Sequence, residues 1–222
     1  MSWFLAMAMA ATAATSMIEL PVPYVPQAID GRWVAPWDEA CEEASLLMVE
    51  GYYEKNIVVD EQIAKKRMQS MIDWEMVVFN KFDDTDADET RRLIDEHAAF
   101  EAHIIRNPSL DSIKDELSAG RPVIAMVDMF DLYAERDLGD SYHVLVISGF
   151  DVAKKEFIVR DPARDTRRFS YTRLMAALHD YDPITREASG VPTVLFTSPP
   201  EPDLTVMDFL KKISNFFWDL FN

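Results

Sequence analysis

The chain has 222 residues, with 22 Lys and Arg against 39 Asp and Glu, so its formal net charge is −17 and its pI is near 4.5. Hydrophobic residues make up 49%, which is enough for a packed core and excludes the disordered and fibrous classes. The acidity argues against a nucleic-acid binder, because such a protein neutralises phosphates with a basic surface.

The N-terminal segment is typical of a secretory signal. Residues 3–15 are apolar and uncharged, and they are too few for a comfortable membrane span, which needs about 20 residues. Ala11-Thr12-Ala13 supplies a small-x-small cleavage pattern, although the usual basic start is absent. We predict that residues 1–17 are a signal peptide or an N-terminal anchor and that the protein is exported to the cell envelope or beyond. The alternative is a packed or frayed helix on a cytoplasmic protein.

Residues 18–197 are predicted to form one domain, and its first half contains helices. Three prolines in residues 19–27 favour extended backbone, interpreted as an edge strand. After a loop, apolar residues at helical spacing predict a core helix with Cys41 in its first turn, where neighbouring acids suit the helix dipole. A second helix is predicted over residues 60–79, with Asp60 as N-cap, and a third over residues 89–100.

An acidic run precedes the third helix. The alternation of Asp84, Asp86 and Asp88 resembles the start of a calcium loop, but the later glycine and bidentate glutamate are missing. A solvated, helix-capping run is the favoured interpretation. The longer acidic segment, residues 74–96, matches no motif.

From residue 102 onward the pattern changes to alternating strands and helices, which predicts an α+β fold. A helix over residues 111–119 ends at Gly120, and residues 169–179 form a helix or a strand followed by a helix. The polar stretch 128–141 is predicted to be a loop. The predicted strands are residues 103–106, 122–127, 143–150, 157–160 and 193–196.

Residues 198–222 are interpreted as a proline-rich linker followed by an amphipathic helix. Apolar residues recur there at three- and four-residue steps, from Leu204 to Phe221. This helix could lie on a membrane, bind a partner or cover its own domain. Its two lysines are matched by acids, so an electrostatic lipid anchor is not supported.

One cysteine and a histidine–aspartate hairpin are the candidates for chemistry. Cys41 cannot form an internal disulfide, since the chain has one cysteine, and a helix N-terminus lowers a thiol pKa. His143 opens a buried strand beside a polar loop, which makes it a better base candidate than the other three histidines.

The acid that orients His143 follows from the pairing of two strands. Opposed residues in an antiparallel pair share a constant sum of residue numbers. That sum is 304 for His143 and Asp161, which centres the turn at residue 152, close to the turn predicted for residues 151–156. If a slip of about two residues is allowed, the two side chains emerge at the same end of adjacent strands. Asp151 lies at the opposite end, and Gln27 offers a side-chain amide suited to an oxyanion.

These motifs together resemble the papain-fold cysteine peptidases related to bacteriocin-processing enzymes, in the broad "like" branch of cysteine peptidase family thirty-nine. The resemblance covers Leu20 to Phe196. The segments that show it are Pro23–Gln27, Trp37, Cys41–Val49, Tyr142–Asp151 and Phe157–Pro162. One departure is Glu42, where many relatives have glycine after the cysteine.

The resemblance implies a papain-like α+β fold in which a helical part and an antiparallel sheet enclose a cleft. It implies a Cys41–His143–Asp161 triad with Gln27 as oxyanion donor, a peptide or protein substrate, and neither a metal nor an organic cofactor. The alternatives are an inactive module that binds a peptide or a cell-surface ligand, and an amidase or acyl transferase with the same triad. In the plainest alternative, Cys41 is only a buried packing thiol.

Overall fold

The computed structural model of the protein describes residues 17–55, 60–134 and 142–200. Apart from Met17, the predicted signal segment lies outside the described residues. The predicted C-terminal amphipathic helix lies outside them as well. No helix within the described ranges is long and apolar enough to span a membrane.

The described residues form the mixed helical and antiparallel architecture that was predicted. The helices are α1 (Cys41–Tyr53), α2 (Glu61–Val78), α3 (Ala87–His97), α4 (Leu110–Ser118), α5 (Met129–Tyr133) and α6 (Tyr171–Ala177), with a short 3-10 turn at Trp37–Glu39. The strands are β1 (Met17–Glu19), β2 (Glu101–Arg106), β3 (Val123–Asp128), β4 (Tyr142–Asp151), β5 (Glu156–Asp161), β6 (Asp165–Ser170), β7 (Tyr181–Asp182), β8 (Glu187–Ala188) and β9 (Thr193–Ser198).

In the described part of the chain, an antiparallel sheet of seven strands organises the core. Six strands follow the order β2-β9-β3-β4-β5-β6, and β1 pairs with the far half of β4. Every residue of β4 is buried, as expected for a Val- and Ile-rich strand that is covered on both sides. The short pair of β7 and β8 lies apart from this sheet.

Helix α1 is the central helix and packs directly on β4. All residues from Cys41 to Gly51 are buried, so the helix is enclosed on every side and is not amphipathic. Ser45 Oγ donates to the carbonyl oxygen of Val144 at 3.2 Å, near the start of β4. This contact fixes the first turns of α1 against one end of the strand.

The predicted edge strand at residues 19–27 is wrong in extent. Only Met17–Glu19 pairs with β4, and the following proline-rich segment is extended but forms no ladder. The physical reason is that proline has no N–H to donate. The segment is instead held by single contacts, including Leu20 N–H to Ser148 O at 2.7 Å and Gln27 N–H to Pro162 O at 3.1 Å.

Most predicted helix boundaries are confirmed. Asp60 caps α2 by accepting from two backbone N–H groups, and Asp86 forms a capping box with Glu89 at the start of α3.

Two predictions about polar stretches need correction. Helix α5 lies inside the stretch predicted to be a loop, because Asp128 caps it through the N–H of Phe130 at 2.6 Å. The acidic run is not uniformly solvated, since Asp84 is only 6% exposed.

Candidate active site

The hairpin of β4 and β5 brings His143 and Asp161 into contact. Val146 pairs with Arg160, and a bulge between Ile147 and Gly149 shifts the register by one residue along the strands. The two side chains emerge at the same end, as predicted, and His143 Nε2 lies 2.9 Å from Asp161 Oδ1. Both are buried, with exposed fractions of 4% and 0%. The histidine ring is therefore oriented by a carboxylate that water does not reach.

Asp161 is held by two further donors. Ala163 N–H donates to its Oδ1 at 2.8 Å, and the Tyr133 hydroxyl donates to its Oδ2. Burial alone would raise the pKa of Asp161, but the charge and hydrogen bond of His143, with these two donors, hold the pKa below its ordinary value. The carboxylate therefore stays ionised beside the imidazole.

Tyr133 was not found from the sequence. It is the last residue of α5, in the stretch predicted to be a loop, and no motif marks it. Its ring packs edge-on against Phe169 at 5.2 Å, while the guanidinium of Arg164 lies 4.2 Å from its centre. These two neighbours fix the hydroxyl that contacts Asp161.

Cys41 is the first residue of α1 and is 3% exposed. Its Sγ accepts a hydrogen bond from Val144 N–H at 3.3 Å and donates one to Glu42 Oε2 at 3.0 Å. Burial, followed by the charges of Glu42 and Asp84, raises the pKa of the thiol well above its ordinary value. The predicted lowering of this pKa by the helix N-terminus is therefore wrong, because desolvation and adjacent carboxylates outweigh the helix dipole.

Gln27 lines the same cleft as Cys41, but its amide hydrogens are already used. Its Nε2 donates to the carbonyl oxygens of Asp38 at 2.9 Å and Trp37 at 3.3 Å. Its Oε1 is buried and has no hydrogen-bond partner among the described residues. In this arrangement the amide offers no free N–H to an oxyanion.

Gln27, Cys41 and His143 line one cleft of about 560 Å³. Trp33 and Met129 add apolar side chains to this lining. The charged residues of the lining are Asp38, Glu39, Asp84 and Arg164. The two parts of the predicted site thus meet at one concave surface, as ligand sites commonly do. The remaining histidines, His97, His103 and His179, are not among the residues that line it.

Two buried glutamates lie behind the cleft. Glu43 on α1 and Glu75 on α2 are 1% and 2% exposed and share a hydrogen bond. Burial and neighbouring carboxylates raise the pKa of Glu75 to about 8 and that of Glu43 well above its ordinary range. At neutral pH this pair therefore retains protons that exposed glutamates would have lost.

One group of side chains in the described residues could share a metal ion. Ligand atoms of Cys41, Glu42 and Asp84 lie within 4.8 Å of one another, and all three residues are buried. Thiolate and carboxylate ligands of this kind suit a zinc-like divalent ion. The same proximity is also explained by the thiol–carboxylate hydrogen bond, so the geometry alone does not assign a metal.

A buried helix that begins at a cysteine, packed on an antiparallel sheet that presents a His–Asp pair, defines a papain-like α+β fold. The profile of the Peptidase_C39 like family matches residues 19–189. That range spans more than half of the chain, and the chain therefore belongs to the Peptidase_C39 like family.

One solved structure supports the same fold, and a second is reported with it. A protein described as a C39-like peptidase from Bacillus anthracis is 14% identical, with a TM-score of 0.55, over 83% of this chain and 99% of that one. A double glycine motif protease from an AMS/PCAT transporter, in complex with its leader peptide, is 17% identical over 82% of this chain and 94% of that one, with a TM-score of 0.46. A comparison with curated protein sequences gives no match.

Proposed function

We propose that this protein is a cysteine peptidase that hydrolyses a peptide or related amide bond. The observation on which the proposal depends is the 2.9 Å contact between His143 and Asp161, at a cleft that Cys41 also lines. A cysteine nucleophile needs a base, and the base needs a group that orients it. Membership of a peptidase family supports the same reaction class.

In the proposed reaction Cys41 Sγ attacks the substrate carbonyl carbon, and the thiol proton passes to His143. The S–C bond forms as the carbonyl electron pair moves to oxygen. When that pair returns to carbon, the C–N bond breaks and His143 gives the proton to the leaving amine, which leaves a thioester on Cys41. Water hydrolyses the thioester with His143 as base. Asp161 holds the ring so that Nε2 faces the carboxylate and Nδ1 is left for the nucleophile.

The oxyanion would be stabilised by backbone N–H groups at the start of α1, where the helix dipole is positive. Gln27 was predicted to help, and its place in the cleft wall supports that role. Its Nε2 would first have to leave the carbonyl oxygens of Trp37 and Asp38. We therefore propose that Gln27 contributes only after substrate rearranges this wall.

The test is cleavage of a peptide library by the purified protein and by three variants. Cys41→Ala removes the nucleophile, His143→Gln removes the base, and Asp161→Asn retains the shape of the orienting group. We expect cleavage to be lost in the first two and to fall by at least 100-fold in the third, at constant circular dichroism. Cleavage that survives Cys41→Ala would refute the proposal.

A second candidate function is peptide binding without cleavage. The observation that favours it is the thiol–carboxylate contact between Cys41 and Glu42, which opposes the formation of a thiolate. Peptides that bind the cleft but remain intact for hours, with equal affinity for wild type and Cys41→Ala, would favour this function over the first.

A further inference from the structure

The thiol proton of Cys41 is directed away from the cleft and toward a carboxylate. Sγ donates to Glu42 Oε2 at 3.0 Å, and Val144 N–H occupies another side of the sulfur at 3.3 Å. Glu42 is 2% exposed and does not line the cleft. An S–H group is a weak donor, and a carboxylate is its strongest common acceptor. The contact therefore favours the protonated form of the sulfur.

Glu42 is itself held firmly in this position. Its Oε1 accepts from the N–H of Thr85 at 2.8 Å and from the Thr85 hydroxyl at 3.2 Å. Thr85 Oγ1 also lies 2.8 Å from Thr90 Oγ1, and the Tyr142 hydroxyl donates to the Thr85 carbonyl at 2.8 Å. With Oε1 fixed by Thr85, Oε2 remains directed at the sulfur. The hydrogen bonds from Thr85 to Glu42 therefore give the acidic segment, residues 74–96, a structural role.

Further acidic residues, a tyrosine, a histidine and one lysine surround this contact. Glu43 on α1, Glu75 on α2 and Asp84 in the loop before α3 are all buried acidic residues near Glu42. From β4, Tyr142 faces Glu42 and Cys41, and the adjacent His143 is paired with Asp161. Lys81 binds the Asp84 carbonyl at 2.6 Å and Glu89 at 2.8 Å.

We propose that Glu42 holds the resting Cys41 as a protonated thiol, and that this contact must open, or Glu42 must become neutral, before the sulfur can attack. As regulation of a peptidase, this inference rests on the proposed function. When the contact opens, the thiol proton can pass to His143 and leave the electron pair on sulfur. A neutral Glu42 carboxyl could then donate a hydrogen bond to that sulfur instead of accepting one.

Alkylation tests this inference without any substrate, because Cys41 is the single cysteine of the chain. Iodoacetamide rates are measured from pH 6 to 10, in the presence of EDTA, for wild type, Glu42→Gln and Asp38→Asn. Asp38 is the matched control, since it lines the same cleft and no sulfur contact is found for it. We expect Glu42→Gln to react at least tenfold faster than wild type at pH 8, and Asp38→Asn to stay within twofold.

Equal rates for wild type and Glu42→Gln, or equal acceleration by Asp38→Asn, would overturn the inference. If circular dichroism shows that Glu42→Gln does not fold, the pH at which the wild-type thiolate forms is measured instead, from its absorbance at 240 nm. Thiolate that appears below pH 8 would overturn the inference, and thiolate that appears only above about pH 9 would support it. Fast alkylation without peptide cleavage contradicts the proposed function alone, whereas cleavage without acceleration by Glu42→Gln contradicts this inference alone.

Discussion

The buried pair of Glu43 and Glu75 should make the stability of the protein fall as pH rises. Glu75 has an ordinary pKa of 4.5 and a folded-state pKa of about 8, so between these values the folded chain binds a proton that the unfolded chain has released. The Glu75 contribution to the free energy of unfolding therefore decreases across this window and levels off above pH 8. At 1.36 kcal/mol for each pH unit, the full loss from Glu75 is roughly 5 kcal/mol. Some of it is recovered if water reaches the ionised pair, so we expect about 3 to 5 kcal/mol.

Glu75→Gln isolates this effect because an amide cannot ionise. Asp73→Asn is the matched control, since it removes one negative charge from the exposed face of the same helix. Urea unfolding at pH 5, 6, 7, 8 and 9 gives the free energy of unfolding for each protein. We expect the difference between Glu75→Gln and wild type to grow in favour of the variant by about 3 kcal/mol or more from pH 5 to pH 9. A difference that stays constant with pH, or that Asp73→Asn reproduces, would show that this pair does not titrate as argued.

Three further predictions concern other parts of the chain. Tyr133→Phe removes one donor to Asp161, so peptide cleavage should show a kcat about three- to tenfold lower with KM nearly unchanged, and an unchanged kcat would contradict a positioning role. Gly149→Ala would place a Cβ 2.2 Å from the backbone oxygen of Ile18, so urea unfolding should show a loss of about 3 kcal/mol, and a loss under about 1 kcal/mol would contradict the close packing of β1 on β4. If residues 1–17 contain an export signal that is cleaved at Ala11-Thr12-Ala13, N-terminal sequencing of the mature protein should find a start after Ala13, whereas an intact Met1 in a cytosolic fraction would contradict export.

The parts of the site that follow from local patterns could be predicted from the sequence. The start of α1 at Cys41 follows from apolar spacing and from acids in the first turn. The His143–Asp161 contact follows from the register of a single hairpin, and the bulge near Gly149 falls within the slip that was allowed. Both inferences use residues that are neighbours along the chain or across one turn.

The rest of the site depends on contacts that no local pattern encodes. The N–H of Thr85 donates to Glu42, although the two residues are 43 positions apart in the sequence. This contact holds an acidic loop, which was predicted to be solvated, against the interior of the protein. Tyr133 reaches Asp161 from a helix only five residues long, too short to give a periodic signal. The pKa of Cys41 is raised rather than lowered for the same reason. The helix dipole could be inferred from the sequence, whereas the burial of Glu42 beside the sulfur could not.

The contact between α1 and β4 also has a consequence for the order of folding. Cys41 and Val144 are 103 positions apart, so the contact forms only after most of the chain has collapsed. Until then the cysteine is an ordinary thiol with an ordinary acidity, and it reacts more readily than it does in the finished fold. A brief pulse of alkylating reagent during refolding should therefore label early intermediates and spare the native protein. The reactivity of the single cysteine of this chain should thus report when α1 docks on β4 during folding.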